Sequence, residues 1–176
     1  MPRAKMWATF VVLTGLVIVL LPPAITGAPE GKESALKASE ITGKVFPAQV
    51  FFRGQVAPVQ MRNTGGIHFG DDAYVLAGLV DSSGYSSDIR QKYQGYLITE
   101  VALDVSGQKL PAGAYGIGFL AGDKFVAMDL GAHDVLQGSS TKDTQIKRPV
   151  PLQIVSTGGK YRLYVGRDYI EMGRSQ

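Results

Sequence analysis

The 176-residue sequence contains no cysteine. This absence excludes disulfide bonds, thiol catalysis, iron–sulfur clusters and cysteine-ligated zinc. A domain of about this size buries ~68–70% of its unfolded surface, so it has no need of disulfides to hold a core together. The sequence also lacks the Walker A, zincin and serine-hydrolase signatures. Composition and motifs therefore point away from several large enzyme classes.

The sequence has little net charge once its N-terminus is set aside. It contains 18 Lys and Arg residues against 15 Asp and Glu residues, and two of the cations, Arg3 and Lys5, lie in the first 27 residues, which carry no acid. The remainder has 16 cations against 15 acids, a net charge of +1 with histidine neutral. A domain so close to neutral gives no electrostatic reason to expect a nucleic-acid partner.

The N-terminus has the pattern of a secretory signal peptide. Arg3 and Lys5 precede an apolar run over residues 6–21, and two prolines and small residues follow it. Such signals typically have a basic segment, then an apolar segment, then small residues at the cleavage site. The apolar run is also shorter than the ~20 residues of a membrane-spanning helix. We expect cleavage near Gly27 or Ala28 and export to the periplasm or the exterior. Retention of the leader as an anchor is the alternative, and the membrane would then be a partner only through this leader.

The pattern of the chain divides it into a signal peptide at 1–27, a linker at 28–44 and a β domain at 45–176. The linker is polar and weakly helical around residues 34–41. From Val45 onward, short apolar runs alternate with Gly, Asp and Pro, a spacing typical of sandwiches and barrels. The sequence therefore predicts an all-β fold, a single antiparallel β-sandwich or short barrel of about seven to nine strands. The domain would have at most one short helix, at residues 86–93 with a serine cap. An N-terminal signal helix would precede the domain.

One hairpin is predicted to turn at Gly122 and Asp123, because Gly followed by Asp suits a two-residue turn. Opposed residues share a face of the sheet, so this register gives one apolar face and one nearly flat face. The flat face, formed by Gly116, Gly118 and Ala127, would admit a ligand or, as we favour, another packed element. The apolar face is predicted to pair Phe119 with Val126, Ile117 with Met128 and Tyr115 with Leu130.

A second hairpin is predicted to turn at Gly158-Gly159. Its inner face would pair Ile154 with Leu163 and Leu152 with Val165. The opposite face would be mostly polar, with Val155 opposite Arg162 and Gln153 opposite Tyr164.

Three further segments are predicted to be strands. Residues 97–105 alternate between apolar and polar side chains and would lead into a turn at residues 106–109. Residues 73–80 are apolar on both faces, which is typical of a central strand. Residues 56–62 alternate, and Pro58 indicates an edge position or a bulge because proline cannot donate to a strand ladder.

Two segments carry a resemblance to known proteins. Residues 105–115, VSGQKLPAGAY, resemble the phrase G-x-x-L-P-A-G-x-Y of bacterial extracellular β-sandwich domains. More broadly, residues 79–100, LVDSSGYSSDIRQKYQGYLITE, resemble a group of uncharacterised exported bacterial proteins. The resemblance implies export and a β fold, and it transfers no catalytic residue.

The connection between residues 85 and 96 is the predicted binding site. It combines aromatic and charged side chains between two strong strands, namely Tyr85, Asp88, Arg90, Tyr93 and Tyr96. Tyrosine offers an apolar body and a polar tip, and surface connections often carry recognition. The leading hypothesis is an exported, non-enzymatic domain that binds a small molecule, a glycan or a protein partner here, with no cofactor.

The two histidines support an alternative hypothesis of a metal-dependent or hydrolytic enzyme. Imidazole and carboxylate groups together ligate transition metals, and the candidate ligands are His68, Asp71, Asp72, His133 and Asp134. No recognised ligand spacing such as H-E-x-x-H is present, so a site would need the two histidines to meet in the fold. A third hypothesis is an anchored accessory subunit of a membrane assembly, if the leader is retained.

Overall fold

The computed structural model describes residues 32–41, 45–70 and 72–176. The predicted signal peptide and its cleavage site lie outside these residues. No helix in the described part of the chain is long and apolar enough to cross a membrane.

The described residues are mostly β-structure, which confirms the all-β prediction. They form fourteen strands, more than the seven to nine predicted, and one short helix. In chain order the elements are β1 (Ser34–Lys37), β2 (Gln49–Phe52), β3 (Gln55–His68), β4 (Tyr74–Val80), α1 (Ser87–Lys92), β5 (Gly95–Thr99), β6 (Leu103–Val105), β7 (Gln108–Leu110), β8 (Gly113–Leu120), β9 (Lys124–Met128), β10 (Asp134–Ser139), β11 (Thr141–Lys142), β12 (Leu152–Thr157), β13 (Lys160–Val165) and β14 (Asp168–Arg174).

The strands form two antiparallel sheets, and neither closes into a barrel over the described residues. The first sheet runs in the order β1, β3, β4, β5, β8, β9 and β10, with β2 also paired to β3. The second sheet runs in the order β12, β13, β14, β6 and β7, with β11 also paired to β14. The predicted central position of residues 73–80 is confirmed, since β4 lies between β3 and β5.

The two faces of the first sheet are both covered. One face shares a core cluster with the second sheet, in which Ile117 of β8 and Leu163 of β13 are among the fully buried side chains. The other face packs against a second cluster that contains Phe52 of β2 and Tyr93, just after α1. Among the described residues, no comparable second cluster covers the outer face of the second sheet, where most side chains are half-buried or exposed.

The hairpin of β8 and β9 differs from the prediction by one residue. Its loop has three residues, 121–123, so Phe119 pairs with Phe125 and Ile117 with Ala127. Gly122 and Asp123 both have positive φ, and the loop includes Ala121 as a third residue beside the two that were predicted to form the turn. Tyr115, Ile117 and Phe119 do face the shared core as predicted. The predicted partners Val126 and Met128 instead lie on the opposite face, in the second cluster, and Leu130 lies beyond β9 and is exposed.

The glycines of this hairpin accommodate a packed element, which is the interpretation favoured above. A Cβ on Gly116 would lie 2.5 Å from Cε2 of Phe52. A Cβ on Gly118 would collide with the backbone of Lys92 at the end of α1. Ala127 is on the other face, because the register is shifted by one residue.

The hairpin of β12 and β13 confirms the predicted register at all four pairs. Gly158 and Gly159 have φ values of 57° and 89°. Two consecutive positive φ values are the requirement of a tight two-residue hairpin turn, and glycine meets it without strain.

Two predicted segments have a different structure. The predicted strand at residues 97–105 is divided into β5 in the first sheet and β6 in the second. At this crossing the Thr99 hydroxyl donates to the Val101 carbonyl at 2.5 Å. Residues 34–37, in the predicted linker and its weakly helical part, form β1, because the long strand β3 offers them a pairing edge. Pairing with a neighbouring strand outweighs a weak helical preference.

The remaining local predictions are met in part. The helix begins after Ser86 as predicted, but the Ser86 side chain makes no capping hydrogen bond. Pro58 pairs with Gln49 in the β2–β3 hairpin, and the register of β3 against β4 shifts between Val59 and Thr64.

Candidate functional site

The three tyrosines of the predicted binding site are buried. Tyr85, Tyr93 and Tyr96 are 6%, 0% and 5% exposed. Tyr93 stacks on Phe52 with ring centroids 4.0 Å apart and meets Tyr85 edge-on at 5.2 Å. These rings therefore belong to the second core cluster, and little of their surface is exposed to solvent.

The hydroxyls of these three tyrosines differ in their hydrogen bonding. The Tyr85 hydroxyl donates to the carbonyl of Phe52 at 3.0 Å, and the Tyr96 hydroxyl donates to the carbonyl of Phe51 at 3.2 Å. The Tyr93 hydroxyl is buried and has no hydrogen-bond partner within residues 32–41, 45–70 and 72–176. Burial raises the pKa of all three hydroxyls above the ordinary tyrosine value, and the proximity of Tyr85 adds to the effect at Tyr93 and Tyr96.

The charged members of the predicted site remain on the surface. Asp88 and Arg90 are exposed on α1, which contributes no buried residue. The next charged residue of the helix, Lys92, forms an ion pair with Asp134 of β10 at 2.9 Å. The structure thus separates the predicted set into buried aromatic rings and exposed charges.

The first predicted metal ligand, His68, lies at the end of β3 and is partly exposed. Its Nε2 is 3.1 Å from Oδ1 of Asp72, and its ring stacks on Tyr74 with centroids 4.6 Å apart. Asp71 lies outside the described residues. This end of β3 brings together one histidine and one of the two predicted carboxylates.

The second predicted ligand, His133, follows β9 and contacts a different carboxylate. Its Nδ1 is 3.0 Å from Oδ2 of Asp129, and Oδ1 of Asp129 also accepts from the His133 backbone N–H at 2.9 Å. That backbone hydrogen bond is the largest cause of the lowered pKa of Asp129. Asp134 instead accepts hydrogen bonds from Lys92 and Gln137.

The predicted ligands do not assemble over the part of the chain that the structure describes. No group of three or more His, Asp or Glu side chains has an arrangement that would hold a metal ion there. The two histidines each contact an aspartate four residues away in sequence, and these two contacts are local.

The outer face of the second sheet is a candidate site that the sequence analysis identified only as a polar hairpin face. Alternation along β12, β13 and β14 directs one set of side chains to this surface. Strand pairing then places them in rows across the sheet. One row contains Val155, Arg162 and Glu171; the next contains Gln153, Tyr164 and Tyr169; and the third contains Lys160, Gly173 and Asp104.

The centre of this face is a ladder of three half-buried side chains. The Arg162 guanidinium donates to Oε1 of Glu171 from Nε at 3.1 Å and from Nη2 at 2.9 Å. It also lies over the Tyr169 ring, 4.4 Å from the centroid. Tyr164, next to Tyr169, is buried and donates its hydroxyl to Asp143 at 3.1 Å. We call Arg162, Tyr169 and Glu171 the outer ladder.

An open depression adjoins the outer ladder. It has a volume of about 460 Å³ and is lined by residues that include Asp104, Lys160, Glu171 and Gly173. A Cβ added to Gly173 would meet nothing within 4 Å, so the floor is open to solvent. The Lys160 side chain has no hydrogen-bond or ion-pair partner among the described residues.

The signal for this face was present in the sequence. In residues 168–174, Tyr169, Glu171 and Gly173 alternate with Ile170 and Met172. That alternation predicts a third strand beside the Gly158-Gly159 hairpin, with its polar side facing outward. This strand is not among those predicted from the sequence, and the outer ladder was therefore not predicted.

No protein-family model, curated protein sequence or solved structure matches this chain. The fold and the candidate surfaces are therefore interpreted from the chain's own residues.

Proposed function

We propose that this chain is an exported, non-enzymatic binding domain and that a protein partner docks on the outer face of the second sheet. The observation that carries the proposal is the outer ladder, which lies half-buried on the sheet face that no second core cluster of the described residues covers. Tyrosine and arginine are enriched at the centres of protein interfaces and dominate their binding energy.

The shape of the face favours a protein over a small molecule. Small-molecule sites are usually concave, mostly apolar pockets that enclose the ligand. The depression over Gly173 is open and is bordered by charged groups, including Asp104, Lys160 and Glu171. An open depression beside the outer ladder suits a partner that presents a complementary side chain.

The chemistry of the face favours binding over catalysis. Arg162 and Glu171 neutralise each other through two hydrogen bonds, and Arg162 is also held against Tyr169. Side chains already ordered by such contacts lose little conformational entropy when a partner binds. The ladder thus has the preorganisation of a recognition surface.

Site-specific photo-crosslinking in the source cell tests the proposal and compares it with the α1 surface. A photoreactive residue is placed at Val155 on the outer face or, as the matched alternative, at Asp88 on α1. We expect the Val155 position to give a discrete protein adduct and the Asp88 position to give none. The Val155 adduct should disappear when Tyr169→Ala and Arg162→Ala are combined.

Two results would contradict the proposal. An adduct at Asp88 with none at Val155 would move the binding site to α1. An adduct at Val155 that survives loss of Tyr169 and Arg162 would show that the outer ladder does not recognise the partner. Circular dichroism of the double variant verifies that the fold is intact.

Export is the second part of the proposal, and it rests on the leader pattern of residues 1–27. Mass spectrometry of the protein from the envelope or medium should give an N-terminus near Ala28. A protein that retains Met1 and stays in the membrane fraction would favour the anchored-subunit alternative.

A further inference from the structure

The loop of residues 143–151, between β11 and β12, concentrates positive charge at one edge of the domain. Lys147 and Arg148 are exposed, and neither has a hydrogen-bond or ion-pair partner in the described part of the chain. Lys142 and Arg167 flank the loop at its start and at the adjacent β13–β14 turn. We call residues 143–151 the cationic loop.

The charge of the cationic loop and its flanks differs in sign from that of the rest of the chain after residue 27. Loop and flanks together have four cations and two carboxylates, the latter being Asp143 and Asp168. This leaves twelve cations against thirteen carboxylates elsewhere after residue 27. Asp168 faces Lys142 at 3.6 Å, and Asp143 accepts from Tyr164, so both carboxylates are engaged away from Lys147 and Arg148.

Backbone contacts hold the cationic loop without using its two free cations. The Asp143 N–H donates to the Arg167 carbonyl at 2.9 Å, and Arg167 Nε donates to the Ile146 carbonyl at 3.1 Å. The Gly166 N–H donates to the Pro151 carbonyl at 3.1 Å. Proline at two positions further restricts the backbone. The cationic groups are thus presented on a preorganised loop, which reduces the entropy lost on binding.

An exposed apolar side chain accompanies these cations. Val150 is 43% exposed two residues after Arg148. Cations beside apolar side chains are typical of segments that lie at the interface of an anionic membrane, whereas recognition of a soluble anion needs only the charges. We propose that the cationic loop binds an anionic lipid surface, with Lys147 and Arg148 at the headgroups and Val150 against the acyl boundary.

Vesicle co-sedimentation of the purified exported protein tests this proposal. We expect binding to phosphatidylglycerol-containing vesicles, little binding to pure phosphatidylcholine vesicles, and loss of binding as salt is raised. Each Lys or Arg near such a surface strengthens binding about five-fold, so Lys147→Gln with Arg148→Gln should weaken it about thirty-fold. Val150→Ser should weaken it further.

The control removes the same charge from another part of the surface. Lys37 and Lys124 are exposed, and their side chains lack partners among the described residues, so Lys37→Gln with Lys124→Gln is matched in net charge. Equal weakening by the two double variants would overturn the proposal, because only overall charge would then matter. Binding that does not depend on phosphatidylglycerol, or competition by inorganic phosphate at low concentration, would also overturn it.

Discussion

Replacing Gly118 with alanine should destabilise the protein more than the same substitution at any other described glycine of its sheets. A Cβ at this position would overlap the Lys92 carbonyl oxygen and would lie 2.8 Å from the carbonyl carbon. Both atoms are backbone at the end of α1, so no side-chain rotation relieves the collision. The helix end must move away from the sheet, and Tyr93, which is fully buried next to it, must move too.

The size of the effect follows from comparison with two other glycines of the sheets. Overpacking a core costs about 1–3 kcal/mol, and a collision with fixed backbone belongs at the top of that range, so we expect about 3 kcal/mol for Gly118→Ala. Gly116→Ala meets the Phe52 ring, a side chain that can shift, and should cost about 1–2 kcal/mol. Gly173→Ala meets nothing, and it should be neutral or stabilise by up to about 1 kcal/mol because alanine suits a strand better than glycine.

Urea denaturation at neutral pH, followed by circular dichroism, measures these three free energies of unfolding. We expect Gly118→Ala to be the most destabilising of the three, Gly116→Ala the next and Gly173→Ala the least. A free-energy loss for Gly118→Ala no larger than that for Gly173→Ala would refute the packing of α1 on β8. It would also remove the structural explanation for the flat glycine face.

Three further predictions concern the region around α1. The Gln94 side-chain amide donates to the Phe119 carbonyl at 2.9 Å and accepts from the Phe119 N–H at 3.0 Å, so Gln94→Ala should cost about 1–3 kcal/mol in urea denaturation, and an unchanged midpoint would contradict this role. Tyr85→Phe should lower the free energy of unfolding by about 1 kcal/mol because it loses the hydrogen bond to the Phe52 carbonyl. Tyr93→Phe should be neutral or stabilising because its hydroxyl has no partner among the described residues. If Tyr93→Phe were the more destabilising of the two, the hydrogen-bond assignments of these hydroxyls would be wrong. The folded pKa of Tyr93 is raised, so its contribution to stability is complete below the unfolded value of about 10 and is lost as pH rises above it. Tyrosine absorbance and circular dichroism should therefore change together above that pH, and ionisation of all tyrosines with the fold retained would contradict the burial.

The register of each hairpin was predictable to the extent that its turn residues specify one type of turn. Gly158-Gly159 allows the two positive φ values of a tight turn, and the predicted register of that hairpin is confirmed. Gly122-Asp123 also allows a two-residue turn, but Asp123 adopts a left-handed conformation and the loop includes Ala121 as a third residue. Asp tolerates that conformation better than most residues, so local chemistry was compatible with both registers.

Long-range packing decided the features that the sequence did not reveal. The side chains between residues 85 and 96 look suited to a surface connection, yet Phe52, more than thirty residues earlier, packs against Tyr85 and Tyr93 and buries them. Their burial depends on the hairpin of β2 and β3, and no local pattern specifies that contact. In the same way, β1 forms only because β3 extends far enough to pair with it.

The alternation of apolar and polar residues along the strands nevertheless predicts that the two sheets are buried to different extents. In β9, Phe125 and Ala127 face one cluster while Val126 and Met128 face the other, so this strand is apolar on both sides and must be covered on both. In β14, Ile170 and Met172 are buried, but Glu171 between them points to the other side of the strand, so covering that side would bury charge. A strand of this second kind is stable with one face in water, and that face remains free for a partner. The alternation of residues 168–174 thus predicts which side of the strand joins the core and which side faces solvent, and the proposed partner would bind on the second side.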